Sequence, residues 1–373
     1  QYVLSVWTPP ASMKTNNSTQ GYVGTDTSNL NDSTKIGYLA HASYSAFVAF
    51  LTKAMKSLNS STAGAPAYLS VQNEPTNLVN YDGCLYRNHV NPVFWDSVLA
   101  AARGSFDFIG LDTSKVKLYG PETSTYSGVS AFFGGSGFPW ITSNFQGTNK
   151  AVSSYAFHTY YQGDKSVIDS TLLGMQDNSA RDSWVTEYSN LSDSTPLGYV
   201  LSTFSDMGAA LVIVPNNYWA WFNGWAAKST EDKGTLITGT TTNPLFSKRY
   251  HMLRKVWTSI APNKWRVQPM SQSSDPNLHI GITGQEQSSN PRVDLWAFQR
   301  TDDSLTVVML VNHTTTDKAV TIGGFPTWYN AQHSWRTDAT NDVVAQQATN
   351  VFHGFSTVSL PAQSFVFAVM QKL

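Results

Sequence analysis

Apolar residues before residue 262 follow two spacings in turn. Short apolar runs with the length of buried strands precede longer segments in which apolar residues recur at helical spacing. Strands are predicted at 1–6, 68–71, 115–119, 152–157, 183–186 and 211–218. Helices are predicted at 38–58, 91–103, 165–175, 197–210 and 247–260, with a short helix within 128–145. Six such units in a row predict parallel strands joined by helical crossovers.

The pattern changes after Pro262. Short alternating stretches, broken by Gly, Asn and Asp turns, replace the helical spacing. These stretches are 265–267, 278–282, 293–300, 305–312, 319–322, 333–336 and 355–370. They predict an antiparallel β-sandwich of roughly a hundred residues. We therefore expect an α/β (β/α) barrel of TIM type, with six βα units, over 1–262 and a β-sandwich side domain over 263–373.

The amino-acid composition indicates which kinds of molecule the protein could bind. Charged residues make up 13% of the chain and the net charge is −1, which argues against nucleic acid and anionic membrane surfaces as partners. No apolar run approaches the roughly 20 residues of a membrane span. Aromatic residues are also 13%, and they suit the flat faces of sugars, although protein cores use them too.

Cysteine usage and the polar residues bear on localisation. Cys84 is the single cysteine, which excludes an internal disulfide and a cysteine-rich metal site. Ser, Thr, Asn and Gly are abundant, whereas Lys and Glu are scarce. We expect a secreted, extracellular protein from which any leader has been removed.

Polar and aromatic side chains stand where the predicted strands end. In a barrel of parallel strands, all the carboxyl ends open on one face, and that face carries the functional site. A carboxylate at the end of a buried strand is costly unless that end opens onto a cavity. The strand-end residues are Trp7, Asn73, Glu74, Glu122, His158, Tyr160, Glu187, Trp219 and Trp221.

Two of these carboxylates have the spacing of a catalytic pair. Glu74 ends the second strand and Glu187 the fifth, so in an eight-stranded ring they would face each other across the mouth. Retaining glycosidases need two carboxyl groups roughly 5–5.5 Å apart, one protonated and one ionised. Either residue alone could be a simple polar strand cap. Together they favour a catalytic role.

Four stretches carry a resemblance to glycoside hydrolase family 30. They are Ser-Val-Trp-Thr-Pro-Pro-Ala-Ser-Met-Lys-Thr-Asn at 5–16, Ser-Val-Gln-Asn-Glu-Pro at 70–75, His-Thr-Tyr at 158–160 and Thr-Glu at 186–187. The chain resembles this family of retaining barrel enzymes over its whole length, because family members also carry a β-sandwich side domain. The resemblance implies that Glu74 is the general acid/base and Glu187 the nucleophile.

The same resemblance implies sugar-binding roles for Trp7, Asn73, His158, Tyr160, Trp219 and Trp221. Asn73 would hydrogen-bond the 2-hydroxyl of the sugar being cleaved. His158 and Tyr160 would shape the site around the nucleophile. Trp7 and one of the two later tryptophans would form stacking walls.

The residues themselves leave several alternatives open. His158 could be a satisfied structural histidine, and Glu122 could be a buried carboxylate bonded to a neighbour as readily as a catalytic group. At least one of Trp219 and Trp221 could belong to the core. The histidines show no metal-ligand spacing, so we expect neither a metal nor a cofactor.

Two departures from the family pattern affect what we expect. The Trp-x-Pro-Pro strand is the third of eight in the family, so the chain is expected to begin two βα units late. An open six-unit barrel would expose strand edges, which a homo-oligomer could cover. The loop after the last barrel strand, 223–228, contains no arginine. Family members that require a glucuronic acid branch use an arginine there, so no such dependence is expected.

The expected activity is therefore that of a retaining β-glycoside hydrolase acting on a polysaccharide or oligosaccharide by double displacement. Xylan, cleaved in the manner of an endo-β-1,4-xylanase, is the favoured substrate. The alternatives are a β-1,6-glucanase, a β-1,6-galactanase, or a weakly active or inactive carbohydrate-binding protein.

Overall fold

The computed structural model describes most of the chain and divides it into two compact units. The described residues are 2–86, 93–125, 151–159, 181–189, 195–212, 216–222, 224–227, 234–260, 265–267, 278–280, 293–300, 305–322, 329–346 and 356–372. The first unit is 1–159 with 169–186, and the second is 160–168 with 187–373. The helices predicted within 128–145 and at 165–175 lie outside the described residues.

Six strands of the described chain form one sheet whose spatial order follows the chain order. They are β1 Val3–Ser5, β2 Tyr68–Ser70, β3 Lys117–Thr123, β4 Val152–His158, β5 Asp182–Tyr188 and β6 Asn216–Trp221. Strands β1 to β4 pair in parallel, with Leu4 beside Leu69 and Leu69 beside Leu118. The predicted series of six parallel strands is confirmed.

Four α-helices are described: α1 Tyr44–Asn59, α2 Trp95–Phe108, α3 Pro196–Val212 and α4 Lys248–Ser259. The last two match their predicted bounds closely, whereas the first begins later than the predicted residue 38 and the second is shifted from the predicted 91–103. Helix α1 buries one face, formed by Phe47, Val48, Leu51 and Met55. Ser247 caps α4, because its side chain accepts a hydrogen bond from the Tyr250 N–H at 3.0 Å. None of the described helices is both long and apolar enough to cross a membrane.

The C-terminal strands form the predicted antiparallel layers. In the described residues they are β9 Trp265–Val267, β10 Leu278–Ile280, β11 Val293–Arg300, β12 Leu305–Asn312, β13 Lys318–Ile322, β14 Tyr329–Thr337, β15 Val344–Gln346, β16 Ser356–Leu360 and β17 Ser364–Lys372. One sheet has the order β10-β11-β12-β17-β14-β15, with β9 also on β11, and β13 pairs with β16 separately. Strand β10 differs from the prediction, because it runs parallel to β11.

The central strands β11, β12 and β17 are buried on both faces. One face meets β13 and β16 in an aliphatic core: Val293, Leu295, Val308, Leu310, Val320, Ile322, Val358, Leu360 and Val366. The other face, which includes Trp296, Met309 and Phe367, shares a core with α3 and α4. The second unit therefore unites these two helices with the C-terminal strands. The boundary at residue 262 stays a prediction.

Several further segments differ from the sequence-based expectation. Strand β6 begins at Asn216, after α3 has continued to Val212, although the strand was predicted at 211–218, and β15 was not predicted. Strand β3 does not end before Gly120 but continues through Glu122 to Thr123. The stretch 355–370, predicted as one strand, contains two strands, β16 and β17, separated by residues 361–363. A short hairpin of β7 Ile237–Gly239 and β8 Pro244–Phe246 was not predicted.

Candidate active site

The end of β2 carries Glu74 into a polar junction between neighbouring strands. Leu69 and Val71 are buried, and Pro75 follows the carboxylate directly. The backbone N–H of Asn73 donates to Val6 O at 2.7 Å, and that of Glu74 donates to Glu122 O at 3.1 Å. Backbone hydrogen bonds to both sides therefore fix the direction in which this strand end points.

Both carboxylate oxygens of Glu74 have partners. His158 Nδ1 lies 3.0 Å from Oε1. Oε2 accepts hydrogen bonds from Asn77 Nδ2 at 2.9 Å and from the Tyr81 hydroxyl at 3.0 Å. These donors come from two places, the end of β4 and the loop after Pro75. Glu74 is buried but its charge is well compensated.

The pKa of Glu74 reflects two opposing effects. Burial acts to raise the pKa, because it disfavours the charged carboxylate. The hydrogen bond and positive charge of His158, with the hydrogen bonds from Asn77 and Tyr81, outweigh burial and lower the pKa below its usual value. The residue predicted as general acid/base therefore favours the ionised form in the free protein.

Glu122, at the end of β3, has the opposite preference. Its Oε2 accepts a hydrogen bond from Ser5 Oγ at 2.5 Å, and its Oε1 accepts a longer one, 3.3 Å, from the Tyr119 hydroxyl. Burial raises the pKa of Glu122, and the charge of His158 together with hydrogen bonds from the side chains of Ser5, Ser70 and Thr186 only partly offset that effect. Glu122 is thus a buried carboxylate that is hydrogen-bonded to its neighbours, which is one of the two alternatives that the sequence allowed.

His158 ends β4 and is fully buried. Sequence reasoning assigned it to the surroundings of the nucleophile, whereas its Nδ1 lies against the Glu74 carboxylate. A contact with the acid/base does not test the predicted role near Glu187, which stays a prediction. Its position nevertheless explains why a histidine ends this strand, because it compensates a buried negative charge.

Glu187 lies near the end of β5, after the buried residues Ser183, Trp184 and Val185. Its own side chain is partly buried. Trp184 anchors the strand, since its ring lies 4.4 Å from that of Tyr68. Glu187 belongs to the second unit and Glu74 to the first. The predicted opposition of the two carboxylates stays a prediction.

Trp7 and Asn73 lie close to the Glu74 junction. The Gln72 side chain donates to the backbone oxygens of both residues, at 2.6 Å for Trp7 and 2.8 Å for Asn73. The Trp7 ring is partly exposed and its centroid lies 5.9 Å from that of Tyr81. The predicted stacking wall and the predicted acid/base therefore share one neighbour, Tyr81.

Trp219 and Trp221 lie on β6 in the second unit, partly buried against the core that α3 and α4 share. Each ring centroid lies 5.4 Å from that of Tyr188. The Arg249 guanidinium lies 4.0 Å above the Trp221 ring and covers one of its faces. A stacking role for either tryptophan stays a prediction, and Tyr160 lies outside the described residues.

Sequence reasoning missed Asn77 and Tyr81 as partners of Glu74. Their one sequence signal is that both follow the Asn-Glu-Pro motif within seven residues of the carboxylate. Ser5 was also missed, although it ends β1 as the other site residues end their strands.

Comparison with known proteins identifies the fold. No protein-family model and no curated protein sequence matches the chain. A solved structure of a glycoside hydrolase family 30 subfamily 8 xylanase, Xyn30A from Clostridium acetobutylicum, matches with a TM-score of 0.69 at 20% identity, over 99% of this chain and 80% of its own. The catalytic domain of xylanase C of the same family, from Talaromyces cellulolyticus, matches with a TM-score of 0.72 at 17% identity, over 100% and 76%.

A third similar structure is described as a conserved exported protein from Bacteroides fragilis. It matches with a TM-score of 0.67 at 14% identity, over 98% of this chain and 75% of its own. Structural matches at such low sequence identity show the fold of this chain and nothing more specific. The predicted (β/α) TIM-type fold with C-terminal antiparallel sheets is therefore confirmed, and the chain has the fold of the family 30 xylanases that its motifs resemble.

Proposed function

We propose that the chain is a retaining β-glycoside hydrolase. The observation that carries this proposal is the Glu74 carboxylate, buried at the carboxyl ends of parallel strands and held by His158, Asn77 and Tyr81. Active sites of TIM-type folds lie at that end of the strands. The likeness in fold to family 30 xylanases supports the same assignment.

In the proposed mechanism, Glu187 attacks the anomeric carbon while Glu74 protonates the departing glycosidic oxygen. The bond to the leaving sugar breaks as the bond to Glu187 forms, which gives a covalent glycosyl-enzyme. Glu74, now ionised, takes a proton from a water molecule whose oxygen attacks the same carbon and releases Glu187. Two inversions leave the anomeric configuration unchanged.

Glu74 must carry a proton when the leaving oxygen departs. In the free protein its donors favour the ionised form. A bound sugar would exclude water from the junction and strengthen the effect of burial, which acts in the opposite direction. We therefore propose that substrate binding raises the pKa of Glu74 toward the working pH.

The proposed substrate is a polysaccharide, with xylan favoured and with β-1,6-glucan and β-1,6-galactan as alternatives. The two family 30 structures described above are named as xylanases, which supports xylan. The partly exposed Trp7 beside Tyr81 offers an aromatic surface for a sugar ring. Secretion is supported by the match to an exported protein. A homo-oligomer that covers open strand edges is a further proposal, which light scattering would test.

The test is sugar release from xylan, β-1,6-glucan, β-1,6-galactan and aryl glycosides. Wild type should release reducing sugar from at least one of them, and the product first formed should keep the β configuration in ¹H NMR. Glu187→Gln should abolish release from all substrates. Glu74→Gln should lose about 10²–10⁴-fold on polysaccharides, and much less on aryl glycosides whose leaving groups need no proton.

Asp182→Asn provides a matched control, because Asp182 is an exposed carboxylate at the opposite end of the same strand as Glu187. It should retain wild-type activity. If wild type and Glu187→Gln are equally inert while both bind a glycan, the chain is a carbohydrate-binding protein and the proposed activity is wrong.

A further inference from the structure

Backbone hydrogen bonds hold the loop after Pro75 in a position from which its side chains reach Glu74. The backbone N–H of Gly21 donates to Tyr81 O and that of Tyr22 donates to Val79 O, both at 2.9 Å. A Cβ on Gly21 would lie 2.5 Å from Val79 O, so this close approach requires glycine. The backbone position of Tyr81 is therefore set by contacts with a distant segment of the chain.

Two side chains of this loop converge on one atom. Asn77 Nδ2 and the Tyr81 hydroxyl both donate to Oε2 of Glu74, while His158 lies against Oε1. Three partners in fixed positions leave the carboxylate little freedom to rotate. Glu74 itself has a backbone φ of +44°, in the left-handed region that non-glycine residues rarely adopt. The loop thus holds a constrained residue in one orientation.

Tyr81 differs from the other two partners in its exposure. Its side chain is 45% exposed, and its ring contacts that of Trp7. A tyrosine whose hydroxyl reaches a buried carboxylate while its ring stays at the surface can contact both a bound sugar and the acid/base.

We propose that Tyr81, together with Asn77, is a positioning residue that orients the Glu74 carboxylate and sets the pH at which it loses its proton. This inference rests on the proposed function, in which Glu74 is the acid/base. Hydrogen bonds donated to a carboxylate favour its ionised form, so each donor lowers the pKa of the acid. Among the described residues of the first unit, the titratable side chain of His158, from β4, faces Glu74, and Glu122 on β3 pairs with Glu74 through its backbone oxygen.

Tyr81 would also link the binding of a sugar to the protonation of Glu74. A sugar stacked on Trp7 would also contact the Tyr81 ring, and a shift of that ring away from Glu74 would lengthen the hydrogen bond to its carboxylate. Substrate binding and protonation of Glu74 would then be coupled through one side chain. Such coupling would add to the rise in the pKa of Glu74 that the exclusion of water by the sugar produces.

The experiment removes one hydroxyl group. Tyr81→Phe keeps the ring but deletes the donor, and Asn77→Ala deletes the second donor to the same oxygen. Tyr44→Phe is the matched control, because its hydroxyl donates to Ser97 O at 2.7 Å, away from Glu74. The titration of Glu74 is followed by ¹³C NMR of its side-chain carboxyl, assigned by comparison with Glu74→Gln. The pH dependence of kcat/KM is recorded in parallel.

We expect the midpoint of the Glu74 titration to move to higher pH in Tyr81→Phe and in Asn77→Ala, and to stay unchanged in Tyr44→Phe. The basic limb of the kcat/KM profile should move in the same direction, because it reports the pKa of the essential acid. A merely structural role would lower the melting temperature without moving either midpoint.

The outcomes separate the inference from the proposed function. An unchanged NMR midpoint in both loop variants overturns the inference, even if the enzyme is active. A shifted midpoint in a protein that cleaves no glycan supports the positioning role and rejects the proposed activity.

Discussion

Glu74 and Glu122 end neighbouring strands, yet their surroundings favour opposite charge states. Donors around Glu74 lower its pKa, whereas burial raises that of Glu122. Both residues have positive φ, +44° and +54°. Such conformations cost about 1–3 kcal/mol each and persist where surrounding contacts enforce them. Two neighbouring strand ends that each contain such a residue are a good candidate for a functional site, since packing alone gives no reason for the cost.

The raised pKa of Glu122 predicts how stability depends on pH. The folded state holds this proton more tightly than the unfolded state, so Glu122 costs stability as pH rises from its unfolded pKa toward its folded pKa. Glu122→Gln removes that cost while it keeps the shape of the side chain. Its free energy of unfolding relative to wild type should therefore increase with pH over this window. Urea unfolding at a series of pH values measures it.

Asp32→Asn is a control for this prediction, because Asp32 is partly exposed and its pKa is lowered, chiefly by the hydrogen bond from the Thr34 side chain. Its relative stability should show no gain with rising pH. A difference between Glu122→Gln and wild type that is constant from acid to neutral pH would contradict a raised pKa for Glu122.

The sequence indicated some residues of the candidate site but not others. Glu74 and His158 could be predicted because each stands just beyond an apolar run, His158 directly and Glu74 after two polar residues, and parallel strands bring such ends together. Tyr81 could not, since its approach to Glu74 depends on backbone pairing of Tyr81 and Val79 with the segment at Gly21. Local periodicity carries no information about contacts of that kind.

At the scale of elements, β12 and β17 show why the ends of a strand can be predicted from its sequence while the elements that pack against it cannot. Both are almost continuously apolar because each is buried on two faces, by β13 and β16 on one side and by α3 and α4 on the other. The apolar run gave the exact ends of β12, Leu305 and Asn312. It gave no sign that helices from the preceding part of the chain cover one face.

The missed elements have physical reasons as well. Pro361 lacks an N–H and Gln363 has a φ of +44°, so the chain turns between β16 and β17 although apolar residues stand on both sides. The β7–β8 hairpin has three residues in each strand, and Leu245 and Phe246 of β8 are exposed. Strands so short and so exposed show no clear alternation.

The close contact between α3 and β11 predicts how a methyl group added to α3 would change the stability of the protein. Gly208 lies in α3, and a Cβ there would overlap the ring of the buried Trp296. Gly208→Ala should lower the free energy of unfolding by about 1–3 kcal/mol, because overpacking outweighs the gain in helix propensity. Chemical denaturation with the change followed by far-UV circular dichroism measures the difference.

Gly104 in α2 is the matched control. It is exposed, and a Cβ there would meet no atom within 4 Å. Gly104→Ala should therefore stabilise the protein by about 0.5–1 kcal/mol, as expected for alanine in place of glycine in a helix. The prediction requires opposite signs at the two sites. Equal stabilisation by both substitutions would show that α3 does not approach Trp296 so closely.

For the molecule as a whole, the balance of charge bears on the substrate. Charged residues are 13% of the chain and the net charge is −1. A protein with so little net charge produces a weak long-range field, so attraction of a charged polymer over more than a Debye length of about 10 Å contributes little. Recognition must then come from short-range contacts, such as aromatic rings and hydrogen bonds at the strand ends, which a neutral polysaccharide can satisfy.

Two measurements on the proposed enzyme follow from this weak field. On neutral xylan, kcat/KM should change by less than about twofold between 50 mM and 500 mM NaCl, because salt screens only charge interactions. Removal of glucuronic acid branches from xylan should likewise leave kcat/KM within a few-fold, since the loop 223–228 holds no arginine to pair with a carboxylate. A loss of about tenfold or more in kcat/KM on the debranched polymer, together with strong inhibition by salt, would contradict this prediction. It would mean that a basic side chain other than a loop arginine binds the glucuronic acid branch. Lys228, which follows the described part of that loop, would then be the first residue to replace.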